Sequence, residues 1–89
     1  MTREEENIII CAVRYAIGRM SYMVSVVCGY VESKCNELST NCINIIIRDI
    51  EEGIEMYHRI GKTCGMECDE KEWLRLLEIL NKRAMGKQW

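Results

Sequence analysis

The fold is decided by residues 43–57, which read INIIIRDIEEGIEMY. Isoleucines recur here at intervals of three and four residues, the period of one face of an α-helix. Ser39 or Thr40 precedes the stretch as a candidate helix cap, and Gly61 follows it as a stop. The predicted apolar face of this helix, the longest in the chain, consists of Ile43, Ile46, Ile47, Ile50, Ile54 and Tyr57.

Ile45 widens this apolar face beyond a single stripe. A helix that is apolar on more than one side is either clamped between two helices of its own chain or covered by a second subunit. Both explanations stay open at this point. A chain of 89 residues buries only roughly 60–65% of its unfolded surface, so self-association would add stability that a small core lacks. We therefore expect a homo-oligomer.

The first predicted helix opens with Thr2 and Glu5, the spacing of a capping box, and ends near Gly18. Its apolar residues are Ile8, Ile9, Cys11, Ala12, Tyr15 and Ala16. Room for another backbone is left by the small residues Ala12, Ala16 and Gly18, and by Gly29 on the next helix. We expect the first two helices to pack closely at these positions.

The second predicted helix is capped by Ser21 and runs to about Leu38. Its apolar residues are Met23, Val24, Val26, Val27, Tyr30, Val31 and Cys35. The β-branched valines make a strand the rival interpretation, but the rest of the sequence offers no partner strand.

The last predicted helix opens with a second capping box, Asp69 and Glu72, and ends at Gly86. Its apolar face consists of Trp73, Leu76, Leu77, Leu80 and Ala84. The chain contains no proline. The prediction is one all-α domain over residues 1–89, a small oligomeric bundle of about four antiparallel helices with short connections.

The overall charge argues against a nucleic-acid or membrane partner. Twelve basic and 14 acidic residues give a net charge of -2, which lacks the positive field that grips DNA or RNA. The longest uncharged run, residues 20–31, is too short for the ~20 residues of a membrane span. The acidic start of the chain does not resemble an export signal, so we expect a protein of the host cell cytoplasm with reduced thiols.

Six cysteines and one histidine allow two further interpretations. His58, Cys64 and Cys68 form the best zinc cluster, but no second cysteine pair stands in the register of a structural zinc site. Catalysis by a cysteine would have His58 as its only candidate base. We expect neither a metal nor another cofactor, and we interpret Cys28, Cys35 and Cys42 as core or interface thiols.

Residues 11–22, which read CAVRYAIGRMSY, carry the candidate ligand site. Arg14 and Arg19 flank a predicted break between two helices, where guanidinium groups and free helix amides could bind phosphate. Ser21 adds a hydroxyl, and Tyr15 or Tyr22 could stack on a base. The structural alternative is that both arginines pair with acidic residues of neighbouring helices and that Tyr22 is a core aromatic.

The same run resembles the Arg-Tyr-Ala-Leu-Gly-Arg-x-Ser/Thr-Tyr signature of small cytosolic proteins of tailed phages and prophages, with Ile17 in place of the commoner leucine. Asp69, Trp73 and Leu74 extend the resemblance over most of the chain, although only the first motif is specific. These proteins are similar to the anti-CBASS sponges, which sequester cyclic oligonucleotide signals without cleaving them.

The resemblance implies a phage immune-evasion protein that is not an enzyme and binds a cyclic di- or trinucleotide. One histidine and no convergent set of carboxylates suit capture better than hydrolysis.

The alternative function is an anti-CRISPR-like inhibitor that blocks a host defence protein by direct contact. Its contact surface would be acidic, formed by Glu4, Glu5, Glu6, Asp49, Glu51, Glu52 and Glu55. A DNA-binding regulator is disfavoured because the third helix sets Arg48 and Arg59 against four acids.

Overall fold

The computed structural model describes residues 1–19, 23–60 and 66–86, except the side chains of Arg19, Ile60, residues 66–69 and Gly86. This part of the chain forms four α-helices and no strand: α1 (Arg3–Arg19), α2 (Val24–Lys34), α3 (Thr40–Ile60) and α4 (Met66–Gly86). The predicted all-α class is confirmed. None of the helices in these ranges is both long enough and apolar enough to cross a membrane.

The predicted capping box at the start of α1 is confirmed. The Glu5 amide donates to Thr2 Oγ1 at 3.2 Å, and the Thr2 amide donates to Glu5 Oε1 at 3.3 Å. The Thr2 hydroxyl also donates to Glu5 Oε1 at 3.0 Å, and this hydrogen bond lowers the pKa of Glu5. Two amides that the first helical turn leaves without partners are thereby satisfied.

Ser39 is the cap of α3, as the sequence predicts. Its hydroxyl oxygen accepts a hydrogen bond from the Cys42 amide at 3.2 Å. The Ser39 amide in turn donates to Glu6 Oε2 at 2.7 Å. A carboxylate of α1 therefore fixes the start of α3, and the first turns of the two helices lie side by side.

The predicted bounds of α2 and α4 are wrong at one end each. Helix α2 ends at Lys34 rather than near Leu38, because the chain turns there to reach α3, and Leu38 is buried within that connection. Helix α4 begins at Met66, three residues before the predicted cap Asp69, since no residue from 66 to 68 breaks a helix. Met23, the residue before α2, makes no side-chain capping bond. The predicted cap Ser21 lies outside the described residues.

Helices α1 and α3 pack side by side and run parallel, as do α2 and α4; the prediction of four antiparallel helices did not specify which helices are neighbours. Arg14 on α1 binds Asp49 on α3, and Ile17, one turn later, contacts Gly53. Contact positions thus rise together along both helices, so α1 and α3 run in the same direction. Helices α2 and α4 are also parallel. Glu32 contacts Arg75, and Asn36, further along the chain, contacts Arg83, further along α4. The connection between α2 and α3 therefore crosses the end of the bundle diagonally.

Helix α3 packs against both α1 and α4. Ile43, Ile46 and Ile50 are fully buried, while Ile45 and Ile47 are partly buried against the same core. Of the two explanations for its broad apolar surface, the structure shows the first: neighbours from the same chain clamp the helix. The buried Trp73, Leu76 and Leu80 confirm the predicted inner face of α4.

The predicted inner faces of α1 and α2 are partly wrong. Ile9 and Ala16 are buried as predicted, together with Ile10, Val13 and Ile17, but Ile8, Cys11 and Tyr15 are exposed. In α2 and the residues that flank it, Val24, Val31 and Cys35 are buried, whereas Met23, Val26 and Tyr30 face solvent. Both helices are apolar on more than one side, so their periodicity alone does not identify the side that packs.

The close contact predicted between α1 and α2 does not involve Gly18 or Gly29. A β-carbon at either glycine would meet nothing within 4 Å. A β-carbon at Gly53 would instead collide with the side chain of Ile17. The glycine that permits close approach therefore lies on α3, where it faces α1.

Candidate functional site

An open cleft of about 260 Å³ runs between α1 and α3. Its floor is apolar and its rim is charged. The residues that line it are Arg14, Ile17, Gly18, Asp49, Glu52, Gly53 and Met56. Gly18 stands near the end of α1, so the cleft reaches towards the segment that joins α1 to α2.

The floor of this cleft is held in place by two contacts between the parallel helices. Ile17 packs directly against Gly53, where the absence of a side chain lets α1 approach α3. The buried hydroxyl of Tyr57 donates to the Ile17 carbonyl oxygen at 3.2 Å. That carbonyl lies in the last turn of α1, where no later amide of the helix can reach it. The two contacts fix the end of α1 against α3.

Arg14 stands on the rim of the cleft with its guanidinium oriented by Asp49. Arg14 Nε donates to Asp49 Oδ2 at 2.7 Å. The Asp49 side chain is only 12% exposed and that of Arg14 is 59% exposed. The hydrogen bond that Arg14 donates to Asp49, and then the charge of Asp49, raise the pKa of Arg14. No described residue accepts a hydrogen bond from the two terminal guanidinium nitrogens, which leaves both donors available to a ligand.

Among the predicted site residues, the structure describes the side chains of Arg14 and Tyr15 and does not bring these two together. Arg14 faces α3, whereas Tyr15 is 57% exposed and does not line the cleft. The backbone of Arg19 ends α1, but its side chain lies outside the described part of the structure, as do Ser21 and Tyr22. The structural alternative, in which an arginine pairs with an acidic residue of a neighbouring helix, is seen for Arg14, which binds Asp49 on α3.

The α3 side of this cleft was not predicted from the sequence. Asp49 and Glu52 appeared there only within an acidic surface, and Gly53 only as an interior helix residue. The signal that could have singled out Gly53 is its place among the isoleucines of a strongly periodic helix, where a glycine lowers helix stability. Pairing across 35 positions, as between Arg14 and Asp49, leaves no local pattern.

The cysteine predictions are confirmed for the core. Cys28, Cys35 and Cys42 are buried, and burial raises the pKa of Cys42 to about 11. Within the described ranges, no three His, Cys, Asp or Glu side chains are grouped as metal ligands. Of the proposed zinc cluster, His58 contacts the buried Glu70 across α3 and α4, and the side chains of Cys64 and Cys68 lie outside the described part.

Comparisons with protein-family models, with curated proteins and with solved structures find no match to this chain. The chemistry of the cleft is therefore the basis for a functional hypothesis. It combines one oriented guanidinium, an apolar floor and two carboxylates. Such a site can bind a ligand that carries both an anionic group and hydrogen-bond donors.

Proposed function

We propose that this protein is a phage sponge that binds a cyclic di- or trinucleotide at the end of the α1–α3 cleft and does not cleave it. The observation that carries the proposal is the Arg14 guanidinium, which Asp49 orients through Nε while no residue of the described part binds either terminal nitrogen. A planar fork of this kind suits a phosphate, because two parallel hydrogen bonds form with one anion.

The phosphates of the ligand bind at the rim and beyond the end of α1. Arg14 supplies one guanidinium, and Arg19 and Ser21 supply further donors from the segment that follows Gly18. Tyr15 faces away from the cleft, which favours Tyr22 as the residue that stacks on a base.

A base of the ligand lies on the apolar floor formed by Ile17 and Met56. Glu52 lines the same cleft, and a carboxylate only accepts hydrogen bonds when it is ionised. Guanine offers two adjacent N–H donors on its Watson–Crick edge, whereas adenine offers only its amino group there. The carboxylate therefore favours a ligand that contains guanine.

A second candidate function is inhibition of a host defence protein by direct contact. The specific observation is the acidic exposed side of α3, where Glu51, Glu52 and Glu55 face solvent. Glu55 binds Arg59 at 2.7 Å, so part of this charge is neutralised within the helix. A basic groove on a host protein would complement the remainder.

Calorimetric titration with cyclic di-GMP and cyclic di-AMP tests the sponge proposal. We expect the guanine ligand to bind more tightly and to be recovered intact after prolonged incubation. Arg14→Ala removes charge-assisted hydrogen bonds worth roughly 1.5–3 kcal/mol, so the affinity should fall by about one to two orders of magnitude. Arg59→Ala is the matched control, because Arg59 also donates to a carboxylate at 2.7 Å but does not line the cleft.

Three outcomes would contradict the proposal. The first is no heat with any cyclic nucleotide, and the second is an equal loss of affinity in both arginine variants. Recovery of linear nucleotide is the third, since it would make the protein an enzyme. If the chain binds no nucleotide and a host protein co-purifies with it, the second candidate function is favoured instead.

A further inference from the structure

The outer face of α1 carries a second apolar stripe that does not belong to the core. Ile8 is 67% exposed, Tyr15 is 57% exposed, and the Cys11 thiol between them is also exposed. These residues are three and four positions apart and therefore share one face of the helix. The stripe begins at Glu4 and ends at Arg19, which are four positions beyond Ile8 and Tyr15.

An exposed stripe along α2 and the residue before it widens this surface. Met23, Val26 and Tyr30 are exposed and are also spaced three and four residues apart. Helices α1 and α2 pack against each other, and half-buried Ala12 and Val27 stand at the boundary of their stripes. Helical geometry thus places the two stripes on one side of the bundle. A monomeric protein rarely leaves so many large apolar side chains together in water.

We propose that a second copy of this chain docks antiparallel on the outer face of α1, with the two-fold axis passing between positions 11 and 12. In this register Ile8 packs on Tyr15 of the second copy, and Tyr15 on its Ile8. Cys11 meets Ala12, and Glu4 stands opposite the arginine at position 19. Every contact occurs twice, as an isologous interface requires.

Charge favours a second copy over an unrelated partner. The middle of the stripe carries no charge, so two copies meet there without repulsion between like charges. Its two ends carry opposite charges, an acid at Glu4 and a base at Arg19. Only an antiparallel arrangement of two identical helices brings each end against its opposite. The interface and the proposed ligand site share only Arg19, because Arg14 and its cleft lie on the side of α1 that faces α3.

Light scattering on the full chain at micromolar concentration, without nucleotide, tests this interface. We expect a dimer for the natural sequence and a monomer for Ile8→Glu, which buries a carboxylate against Tyr15 of the second copy. Glutamate is a better helix former than isoleucine, so circular dichroism should show unchanged helix content. Met85→Glu is the matched control, because Met85 is 60% exposed on α4. It should leave the dimer intact.

Two further experiments test the antiparallel register of the interface. Glu4→Lys should weaken the dimer, and adding Arg19→Glu should restore it, whereas Glu51→Lys on α3 should have no effect. In a chain with Cys64→Ser and Cys68→Ser, mild oxidation should link two copies through Cys11, and Cys11→Ser should abolish the link.

A monomeric natural chain overturns the proposal, as does an Ile8→Glu variant that still dimerises. Loss of the dimer in Met85→Glu would place the interface on another surface. Failure of the double charge reversal to restore the dimer overturns the antiparallel register. Nucleotide binding is measured separately, so either proposal can fail while the other holds.

Discussion

The side chain of Ile17 fills the space that a β-carbon would need at Gly53. Ile17 belongs to α1 and Gly53 to α3, so this contact sets how closely the two parallel helices approach. It also forms the floor of the candidate cleft. Glycine in the middle of a helix costs about 1 kcal/mol relative to alanine, and the packing of Ile17 offsets that cost here.

Gly53→Ala should therefore destabilise the protein, although alanine is the better helix former. The new methyl group would overpack the contact with Ile17, at a cost of roughly 1–3 kcal/mol that exceeds the gain in helix propensity. Gly29→Ala is the control, since a β-carbon there meets nothing within 4 Å. It should stabilise the protein by about 1 kcal/mol. Both values can be measured by urea unfolding.

The same contact predicts that Gly53→Ala has the opposite effect on stability in an Ile17→Ala variant. Ile17→Ala removes the atoms that a β-carbon at position 53 would strike. In that variant Gly53→Ala should stabilise rather than destabilise, because only the gain in helix propensity remains. If Gly53→Ala has the same effect in both backgrounds, Ile17 is not the cause.

Tyr57→Phe should cost about 1 kcal/mol of unfolding free energy, because the buried Ile17 carbonyl loses its hydrogen bond at the end of α1. Tyr30→Phe is the control, since Tyr30 is exposed on α2 and its loss of a hydroxyl should change stability little. Thermal unfolding monitored by circular dichroism compares the two. Equal melting temperatures for Tyr57→Phe and the natural chain would contradict the assigned role of this hydrogen bond.

The parts of the fold that the sequence predicts well depend on residues near one another in the chain. The capping box of Thr2 and Glu5 and the cap at Ser39 each join residues three positions apart. The strong period of α3 likewise predicts its buried isoleucines, because polar residues occupy most positions on its other side.

The parts that the sequence does not predict depend on distant contacts. Gly53 differs from the exposed Gly18 and Gly29 by its place in a strongly periodic helix, but that place does not reveal its contact with Ile17 on another helix. The candidate site shows the same division. Arg14 is conspicuous in the sequence, but its orientation depends on Asp49, a residue 35 positions away on another helix.

Stability should fall as the pH rises through the alkaline range because of Cys42. Burial, and secondarily the charge of Glu6, raises the pKa of this thiol from its ordinary value near 9.0 to about 11. The unfolded chain loses the thiol proton at a lower pH than the folded chain does, so the contribution of Cys42 is complete below pH 9 and decreases between pH 9 and about 11.

Urea unfolding at several pH values measures this effect. Other groups also titrate in the alkaline range, so the comparison is with Cys42→Ala, whose stability should fall less steeply between pH 9 and 11. Cys11→Ala serves as the control for an exposed thiol and should follow the natural chain. Identical slopes for Cys42→Ala and the natural chain would show that the buried thiol does not cause the decline.

His58 and Glu70 join the end of α3 to the start of α4. Glu70 is buried, whereas more than half of the His58 side chain is exposed. Removing only the imidazole takes a partner from a buried carboxylate, so His58→Ala should cost about 1–3 kcal/mol at neutral pH.

Glu70→Gln keeps the shape of the side chain but removes the charge that needs this partner. In that background His58→Ala should cost clearly less, and a double-mutant cycle from urea unfolding measures the difference. Additive effects would mean that the two residues contribute to stability independently.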